Sequence, residues 1–264
     1  MNAQWCFEED RTRPVFTAEE HVKSKHVQGK APRLPRRAVV FCLGRGLPLL
    51  AERFPTQLLC QQLPGFITHT PVLAVEGWEG LCFLDGGRGA PQAACVIETL
   101  HALGTEEILL LGLCGAFGEA VQVGDVLLPA RLLCEEGVSR HYLPDPETAV
   151  PQGSWSFGQL AEAFQGAGLR VRRENTVTTD AVYRQTFYKE ARWRSLGYAG
   201  VDMEASAAVS VCGYYGMGSA VALMASDKHP LEPGAPAWAW GNENFAEKRD
   251  RFLEAGIRLA REGL

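Results

Sequence analysis

The 264-residue sequence has no apolar run long enough to cross a membrane, and its positive charge is not concentrated. The longest apolar run, residues 108–117, is about half of the roughly 20 residues that a membrane helix needs. The formal net charge is −5, and the basic clusters at 33–37 and 170–173 are small, whereas nucleic-acid-binding proteins gather positive charge on one face. We therefore expect no membrane or nucleic-acid partner and interpret both clusters as solvated surface.

The eight cysteines form no C-x-x-C pair, so a zinc ribbon or a redox motif is unsupported. Several of them lie in apolar runs, where a thiol behaves as a small hydrophobic group. This pattern favours a reducing, cytoplasmic compartment. Glu8, Glu9 and Asp10 do not fit the basic start of a secretory signal peptide. We expect a cytoplasmic protein without a metal or an organic cofactor.

Hydrophobic residues make up 46% of the chain and charged residues 22%, which is typical of a soluble globular protein. No change of composition follows residue 38, so residues 38–264 are predicted to form one domain. Residues 1–37 are polar and rich in Pro, Lys and Arg, and only a short helix around 18–25 is predicted there. We interpret them as an N-terminal arm over the surface or a neighbouring subunit, or as a mobile tail.

Apolar strands and helices alternate along the body, which predicts an α/β domain with a mostly parallel core. The continuous apolar run 107–112 is typical of a strand buried on both faces and is predicted to break at Gly112. Residues 72–75 and 80–84 have the spacing of a hairpin. Another strand is predicted to begin at residue 37, and three further strands are predicted over 123–129, 174–179 and 220–225. The predicted helices cover 48–54, 92–103, 156–168 and 244–261.

Two carboxylates stand out in residues 197–230. Glu204 opens a helix of small residues, and Asp227 follows the apolar strand 220–225. Ligands of open α/β sheets bind beyond the carboxyl ends of the strands. The two acids therefore indicate a site in which one carboxylate binds hydroxyl groups and the other moves a proton.

Three segments together resemble the nucleoside phosphorylase-I superfamily, which contains hexameric purine nucleoside phosphorylases, uridine phosphorylases and related nucleosidases. The segments are Gly87-Arg-Gly-Ala-Pro91, Gly112-Leu-Cys-Gly115-Ala followed by Val123-Gly-Asp125, and Val201-Asp-Met-Glu204-Ala-Ser with Ser226-Asp227. The match covers about residues 38–230, and its specificity comes from the order and spacing of the segments. It implies a single α/β domain with a mixed central sheet distorted towards a barrel and flanked by helices. It also implies homodimers or trimers of dimers, with active sites near subunit interfaces.

The resemblance implies cleavage of the N-glycosidic bond of a nucleoside, which passes through an oxocarbenium-like sugar. Glu204 would accept hydrogen bonds from the ribose 2′- and 3′-hydroxyls, with Met203 packed against the sugar. The alternative for Glu204 is an acid that interacts with the helix dipole. Asp202 stands where many relatives have a second Glu, and it equally fits an N-cap.

Asp227 would protonate a purine leaving group at N7, for which partial burial has to raise its pKa. The alternative is a capping residue at the strand end. Lys228 and His229 are candidates to tune this acid, although we interpret His229 as a surface histidine.

Further ligand contacts follow from the same resemblance. Cys114 and Gly115 belong to the implied substrate site. Thr179, Tyr183 and Arg184 would line the base pocket, with Tyr183 stacking and Arg184 bonding a base carbonyl, unless they only pack. His21 or His26 of the arm is a candidate for a neighbour's 5′-hydroxyl. Residues 139–142 resemble a segment near the subunit contact.

The phosphate site departs from the resemblance. Leu110 and Leu113 replace an Arg and a Thr, and Pro48 replaces an early Arg, whereas a buried dianion needs charge or dense hydrogen bonding. One explanation is that other residues bind inorganic phosphate as co-substrate, namely Arg88, Gly87, Arg45 and Gly44, with the N–H groups of 87–90 as an anion nest.

Two alternatives remain at this point. Water is the nucleophile in a hydrolytic nucleosidase, although residues 41–48 contain no Glu to activate it. The other alternative is a catalytically silent nucleoside-binding protein. The leading prediction is phosphorolysis of a purine nucleoside to free base and ribose 1-phosphate.

Overall fold

The computed structural model describes residues 12–24, 31–65, 69–143, 147–236 and 238–262. Within these ranges the strands are β1 Arg37–Cys42, β2 Thr56–Cys60, β3 Val72–Val75, β4 Leu81–Asp85, β5 Glu107–Ala116, β6 Val126–Leu127, β7 Leu132–Glu135, β8 Thr148–Ala149, β9 Val171–Arg172, β10 Asn175–Thr179, β11 Tyr198–Asp202, β12 Gly218–Lys228 and β13 Ala239–Trp240. The helices are α1 Ala18–Val22, α2 Gly46–Arg53, α3 Ala90–Ala102, α4 Phe157–Gly166, α5 Phe187–Ser195, α6 Ala205–Tyr215 and α7 Phe245–Arg261, with 3-10 turns at Ser139–His141 and Val182–Arg184.

The sheet branches at β5. This strand pairs in parallel with β1 and with β12, and its last residues pair antiparallel with β11. From β1 the order continues through β4 and β3 to β2, and from β11 through β10 and β7 to β8. β12 also pairs with β6 and β13. The single α/β domain with a mixed sheet, which the family resemblance implies, is therefore confirmed.

Helices cover both faces of this sheet. α3 and α6 pack together on one face, while α4 and α7 pack together on the other, with α2 against α7. Ile108 and Leu110 of β5 belong to the first core, whereas Leu109 and Leu111 belong to the second. The prediction of a strand buried on both faces is confirmed. With both faces covered, the ends of the strands are where a ligand can enter.

β5 continues through Gly112 to Ala116, so the predicted break at Gly112 is wrong. A Cβ on this glycine would lie 2.9 Å from the Leu223 side chain, a close approach that glycine permits inside a strand. β12 also continues past its predicted end to Lys228, with a register shift around Ser226. Both strands are longer than predicted because each supplies the other's hydrogen-bond partners.

The predicted strand 123–129 shortens to β6. Asp125 of the preceding turn is buried and accepts hydrogen bonds from Arg170 Nε and Arg172 Nε, each at 2.6 Å. This aspartate therefore joins the turn to the segment that contains β9. The helix α5 and the strands β2 and β7 were not predicted, whereas the predicted hairpin is present as β3 and β4.

The segment before β1 packs on the body of the protein. Thr17 caps α1 in a capping box with Glu20. Val22 and Leu34 are buried in the core that contains α3, and the Leu34 N–H donates to Leu103 O at 2.8 Å. His26 lies outside the described residues, and the boundary of the predicted arm at residue 37 stays a prediction.

Candidate active site

The ends of β5, β11 and β12 meet around one cavity of about 820 Å³, within the size range of small-molecule sites. Glu204 and Asp227 both line this cavity, as the sequence predicts. The other predicted site residues in its wall are Gly44, Arg88, Cys114, Gly115, Tyr183 and Met203.

Arg45 is not brought to the cavity. Its guanidinium donates to Glu52, at 2.6 Å through both terminal nitrogens, and to Asp250 at 3.1 and 3.3 Å. These bonds hold the side chain between α2 and α7. They correct the expectation that Arg45 and Arg88 form one anion site.

Thr179 and Arg184 also lie outside the cavity wall. Thr179 is fully buried, and its hydroxyl donates to Glu135 Oε2 at 2.5 Å. Arg184 is exposed on the 3-10 turn after β10. Of the predicted base-pocket segment, Tyr183 lines the cavity, and 96% of its surface is exposed.

Glu204 lies at the junction of β11 and α6 and is buried. Its Oε1 accepts a hydrogen bond from the Gly89 N–H at 2.6 Å, which Gly89 presents from a left-handed backbone with φ +85°. Burial and the charge of Asp202 raise the pKa of Glu204 to about 7, against the opposing effects of the Gly89 N–H and Arg88. At this pKa the carboxyl group is partly protonated at neutral pH.

Asp202 acts as the capping acid of α6. Its Oδ1 accepts from the backbone N–H groups of Glu204 and Ala205 at 2.8 and 2.7 Å, and from Thr178 Oγ1 at 3.1 Å. Burial raises its pKa to about 6 in spite of these bonds. The N-cap position of α6 is held by Glu204, so Asp202 is not the N-cap residue. Its bonds to the first N–H groups nevertheless fix the backbone that carries Glu204.

The glycine loop before α3 does not present a free anion nest. The N–H of Gly87 donates to Asp85 Oδ1 at 2.7 Å, and that of Arg88 donates to Gln92 Oε1 at 2.6 Å. The third N–H, of Gly89, is the one that bonds Glu204. Gly87 itself is not part of the cavity wall. Three of the four N–H groups of the expected nest, those of residues 87–89, are therefore already bonded to side chains of the protein.

Arg88 is the one arginine in the cavity wall within the described part of the chain. Its guanidinium donates to both carboxylate oxygens of Asp85, at 2.9 and 3.2 Å, and its side chain is 48% exposed. The exposed fraction leaves donors available to a ligand, but Asp85 offsets part of the positive charge.

Asp227 receives three hydrogen bonds. Its Oδ1 accepts from Ser226 Oγ at 2.5 Å, and its Oδ2 accepts from Trp238 Nε1 at 2.6 Å and lies 3.1 Å from His229 Nε2. Burial acts to raise the pKa of Asp227, but these bonds outweigh it and lower the pKa below its ordinary value. The expected raised pKa is therefore corrected, since bonds to the charged form dominate.

His229 is a cavity residue and not a surface histidine. Its Nδ1 lies 2.7 Å from Oε1 of the buried Glu190 on α5, while its Nε2 faces Asp227. Burial acts to lower the pKa of His229, and the hydrogen bonds and charges of the two acids overcome this and raise it to about 9. The imidazole is thus positively charged at neutral pH.

Lys228 points away from the cavity, as neighbours in a strand do. Its ammonium group donates to the carbonyl oxygens of Gly118, Glu119 and Val121. It therefore fixes the loop after β5 and does not contact Asp227.

The profile of the phosphorylase superfamily matches residues 37–262. The chain belongs to the phosphorylase superfamily. Its similar relatives include a guanosine phosphorylase of Halorubrum lacusprofundi, 27% identical over 179 residues that cover 68% of this chain and 73% of the relative. A DeoD-type purine nucleoside phosphorylase of Bacillus cytotoxicus is 26% identical over 180 residues, 67% of this chain and 72% of the relative.

The fold of this phosphorylase-superfamily protein is also that of a solved AMP nucleosidase from Bacteroides thetaiotaomicron. The TM-score is 0.69 at 24% identity, and the match covers 94% of this chain and 100% of the nucleosidase. At this identity the likeness concerns the fold.

Sequence reasoning missed Glu190 and Trp238 as site residues of this superfamily member. Glu190 lies on α5, whose composition is strongly polar, so nothing in the local pattern marks one of its acids as buried. Trp238 reaches Asp227 from beyond the turn that follows β12. For His229 the sequence did contain a signal, namely its position two residues after Asp227. Residues two apart in a strand point to the same face, so His229 could have been predicted to face Asp227.

No helix in the described ranges has both the length and the apolar character that crossing a membrane requires. The same residues contain no cluster of three His, Cys, Asp or Glu side chains arranged to hold a metal ion.

Proposed function

We propose that this protein cleaves the N-glycosidic bond of a purine nucleoside. The observation that carries the proposal is the placement of Glu204 and Asp227 in one cavity of about 820 Å³. An ionised Glu204 accepts the two ribose hydroxyls, and Asp227 lies where it can hydrogen-bond the base. The departing purine then leaves as a protonated base and not as an anion.

Purines are favoured over pyrimidines by the acid at position 227, since N7 is the purine atom that gains a proton. Aromatic side chains of the cavity wall extend the binding surface for a flat ring. Trp238, Phe187 and Tyr183 all line the cavity, and Trp238 hydrogen-bonds Asp227 itself. Aromatic faces of this kind stack on a base.

Inorganic phosphate is the nucleophile in this proposal, with Arg88 as its ligand. Arg88 and Glu204 line the same cavity, so in this proposal the guanidinium serves the sugar side of the site. The relatives named above as phosphorylases support the same acceptor. Arginine binds phosphate through directed, charge-assisted hydrogen bonds.

Water is the second candidate nucleophile, and one observation favours it. Three of the four loop N–H groups that could bind a dianion are taken by Asp85, Gln92 and Glu204. Leu113 adds an apolar side chain to the same wall. A site with one partly neutralised arginine is weak for a dianion.

The test is release of base from guanosine, inosine and adenosine, with and without inorganic phosphate. Phosphorolysis requires phosphate and yields ribose 1-phosphate, whereas full activity in phosphate-free buffer supports hydrolysis. Binding of a nucleoside by calorimetry without any turnover would instead indicate a silent binding protein.

Replacing Arg88 distinguishes the two nucleophiles further. We expect Arg88→Ala to raise the KM for phosphate by about 10- to 100-fold, because hydrogen bonds to a charged group contribute about 1.5–3 kcal/mol. Arg45→Ala is the matched control, since Arg45 bonds Glu52 and Asp250 outside the cavity. If both substitutions changed this KM equally, the result would contradict the proposal that Arg88 binds phosphate.

The pH dependence of nucleoside binding reports on Glu204. Its pKa of about 7 means that the carboxylate, which accepts both hydroxyls, forms as the pH rises through 7. We therefore expect kcat/KM for the nucleoside to increase over this interval, with the neighbouring Asp202 coupled to the titration. The Glu204→Gln variant should lose this increase of kcat/KM with pH. If the increase persists in the variant, the titration of another group causes it.

A further inference from the structure

We infer that His229 supplies the proton that Asp227 passes to the departing base, with Glu190 holding the imidazole in place. The inference rests on the proposed cleavage reaction and adds the source of its proton. Asp227 is then the group that meets the base, and His229 is a positioning residue that acts through it.

The contacts of the imidazole require two N–H groups. Nδ1 lies 2.7 Å from Glu190 Oε1, and Nε2 lies 3.1 Å from Asp227 Oδ2. Ionised carboxylates only accept hydrogen bonds, and a neutral imidazole has one N–H. With both acids ionised, both contacts are hydrogen bonds only when His229 is protonated, so the three side chains together hold a proton that the base can receive.

The contacts of Asp227 explain why it does not store this proton itself. Ser226, Trp238 and His229 all donate to its carboxylate, and bonds to the charged form keep a carboxylate ionised. Asp227 can therefore act as an acid only if another group gives it a proton. His229 is the cationic group that contacts it.

A glycine on β5, Gly115, leaves room for the imidazole ring of His229. Gly115 faces the ring, and a Cβ at this position would lie 2.4 Å from His229 Nε2. The titratable groups that contact the imidazole are Glu190 from α5 and Asp227 from β12, and both stabilise its charged form. The facing residue of β5 is thus a glycine that leaves room for the ring.

The proton reaches the base in two transfers, from His229 to Asp227 and from Asp227 to N7. As the bond between C1′ and N9 breaks, its electron pair moves into the purine. The Asp227 carboxylate takes the proton of His229 Nε2, and the carboxyl group formed in this way gives it to N7, so Asp227 ends ionised as it began. The imidazole ends neutral, with its Nδ1–H still bonded to Glu190, and it regains a proton from solvent after the base leaves.

The decisive substrate pair is guanosine and 7-methylguanosine, because the methylated ring already has the positive charge that N7 protonation creates. We expect His229→Gln to lower kcat for guanosine at pH 7 by about 100-fold, the lower end of general acid catalysis. KM should stay within about threefold. The same variant should cleave 7-methylguanosine within about threefold of the wild-type rate, which also shows that it is folded.

Equal loss on both substrates, or loss on neither, would overturn the role of His229 while leaving the cleavage reaction intact. A wild-type protein that cleaves none of the purine nucleosides tested would instead overturn the proposed function, and this inference with it.

Glu190→Gln gives an independent readout. The amide keeps the size of the side chain but removes the charge that helps to raise the pKa of His229 to about 9. Activity on guanosine is lost as the pH rises through that pKa, so we expect the alkaline limb near pH 9 in the wild type to move to lower pH in the variant. An alkaline limb at the same pH in both proteins would contradict the inference.

Discussion

Asp227→Asn is expected to lower kcat for purine nucleosides by about 100- to 1000-fold, with little change in KM. An asparagine cannot pass a proton, and general acid catalysis contributes about 10²- to 10⁴-fold. Its NH₂ group would also face one of the donors that now bond the carboxylate, from Ser226, His229 or Trp238. Steady-state kinetics on guanosine and inosine measures the effect.

Asp250→Asn is the matched control for this substitution. Asp250 is a half-buried aspartate that bonds Arg45 and Arg249 on the surface of α7. The same chemical change there should leave kcat within about twofold. If Asp227→Asn keeps more than a tenth of the wild-type kcat, the base obtains its proton from another group.

Glu204→Gln is expected to lower kcat/KM by about 30- to 1000-fold. Charged hydrogen bonds contribute about 1.5–3 kcal/mol each, and part of this persists with a neutral acceptor, so a loss of about 2–4 kcal/mol is expected. The amide oxygen can still accept the Gly89 N–H, which keeps the side chain in place. Kinetics on ribonucleosides measures the loss of transition-state stabilisation.

The 2′-deoxynucleoside is the control substrate for this variant. In the wild type, removing the 2′-hydroxyl should lower kcat/KM, because Glu204 loses one of its donors. In Glu204→Gln the difference between the two sugars should nearly disappear, as expected for two groups that interact directly. A preference for ribose that is unchanged in the variant would show that Glu204 does not bind the 2′-hydroxyl.

The sequence predicts which segments form strands and helices better than it predicts the residues at which they end. The hydrophobic runs of β5 and β12 are visible, but β5 passes through Gly112 because Leu223 of the paired strand fills the space beside it. Such pairing joins residues more than a hundred positions apart. No local pattern contains that information, so the predicted break was wrong.

The candidate site shows the same limit. Motif spacing identifies Glu204 and Asp227, and the structure brings both to one cavity. The acid–histidine–acid arrangement depends on Glu190, whose helix was not predicted. Arg45 resembles a phosphate ligand in sequence, but Glu52 and Asp250 determine where its guanidinium points. The partner from α7, Asp250, lies 205 residues away from Arg45, and local sequence does not encode such a contact.

Asp227 lies within β12 and Glu204 lies two residues after β11, and both strands hydrogen-bond to β5. In the proposed reaction these backbone ladders therefore set the distance between the acid that binds the sugar and the acid beside the base. A compound with an inserted atom between base and ribose would lose one anchor however the entrance rearranges. In the proposed reaction, an altered base preference should be sought by mutagenesis of Tyr183, an exposed side chain of the cavity wall.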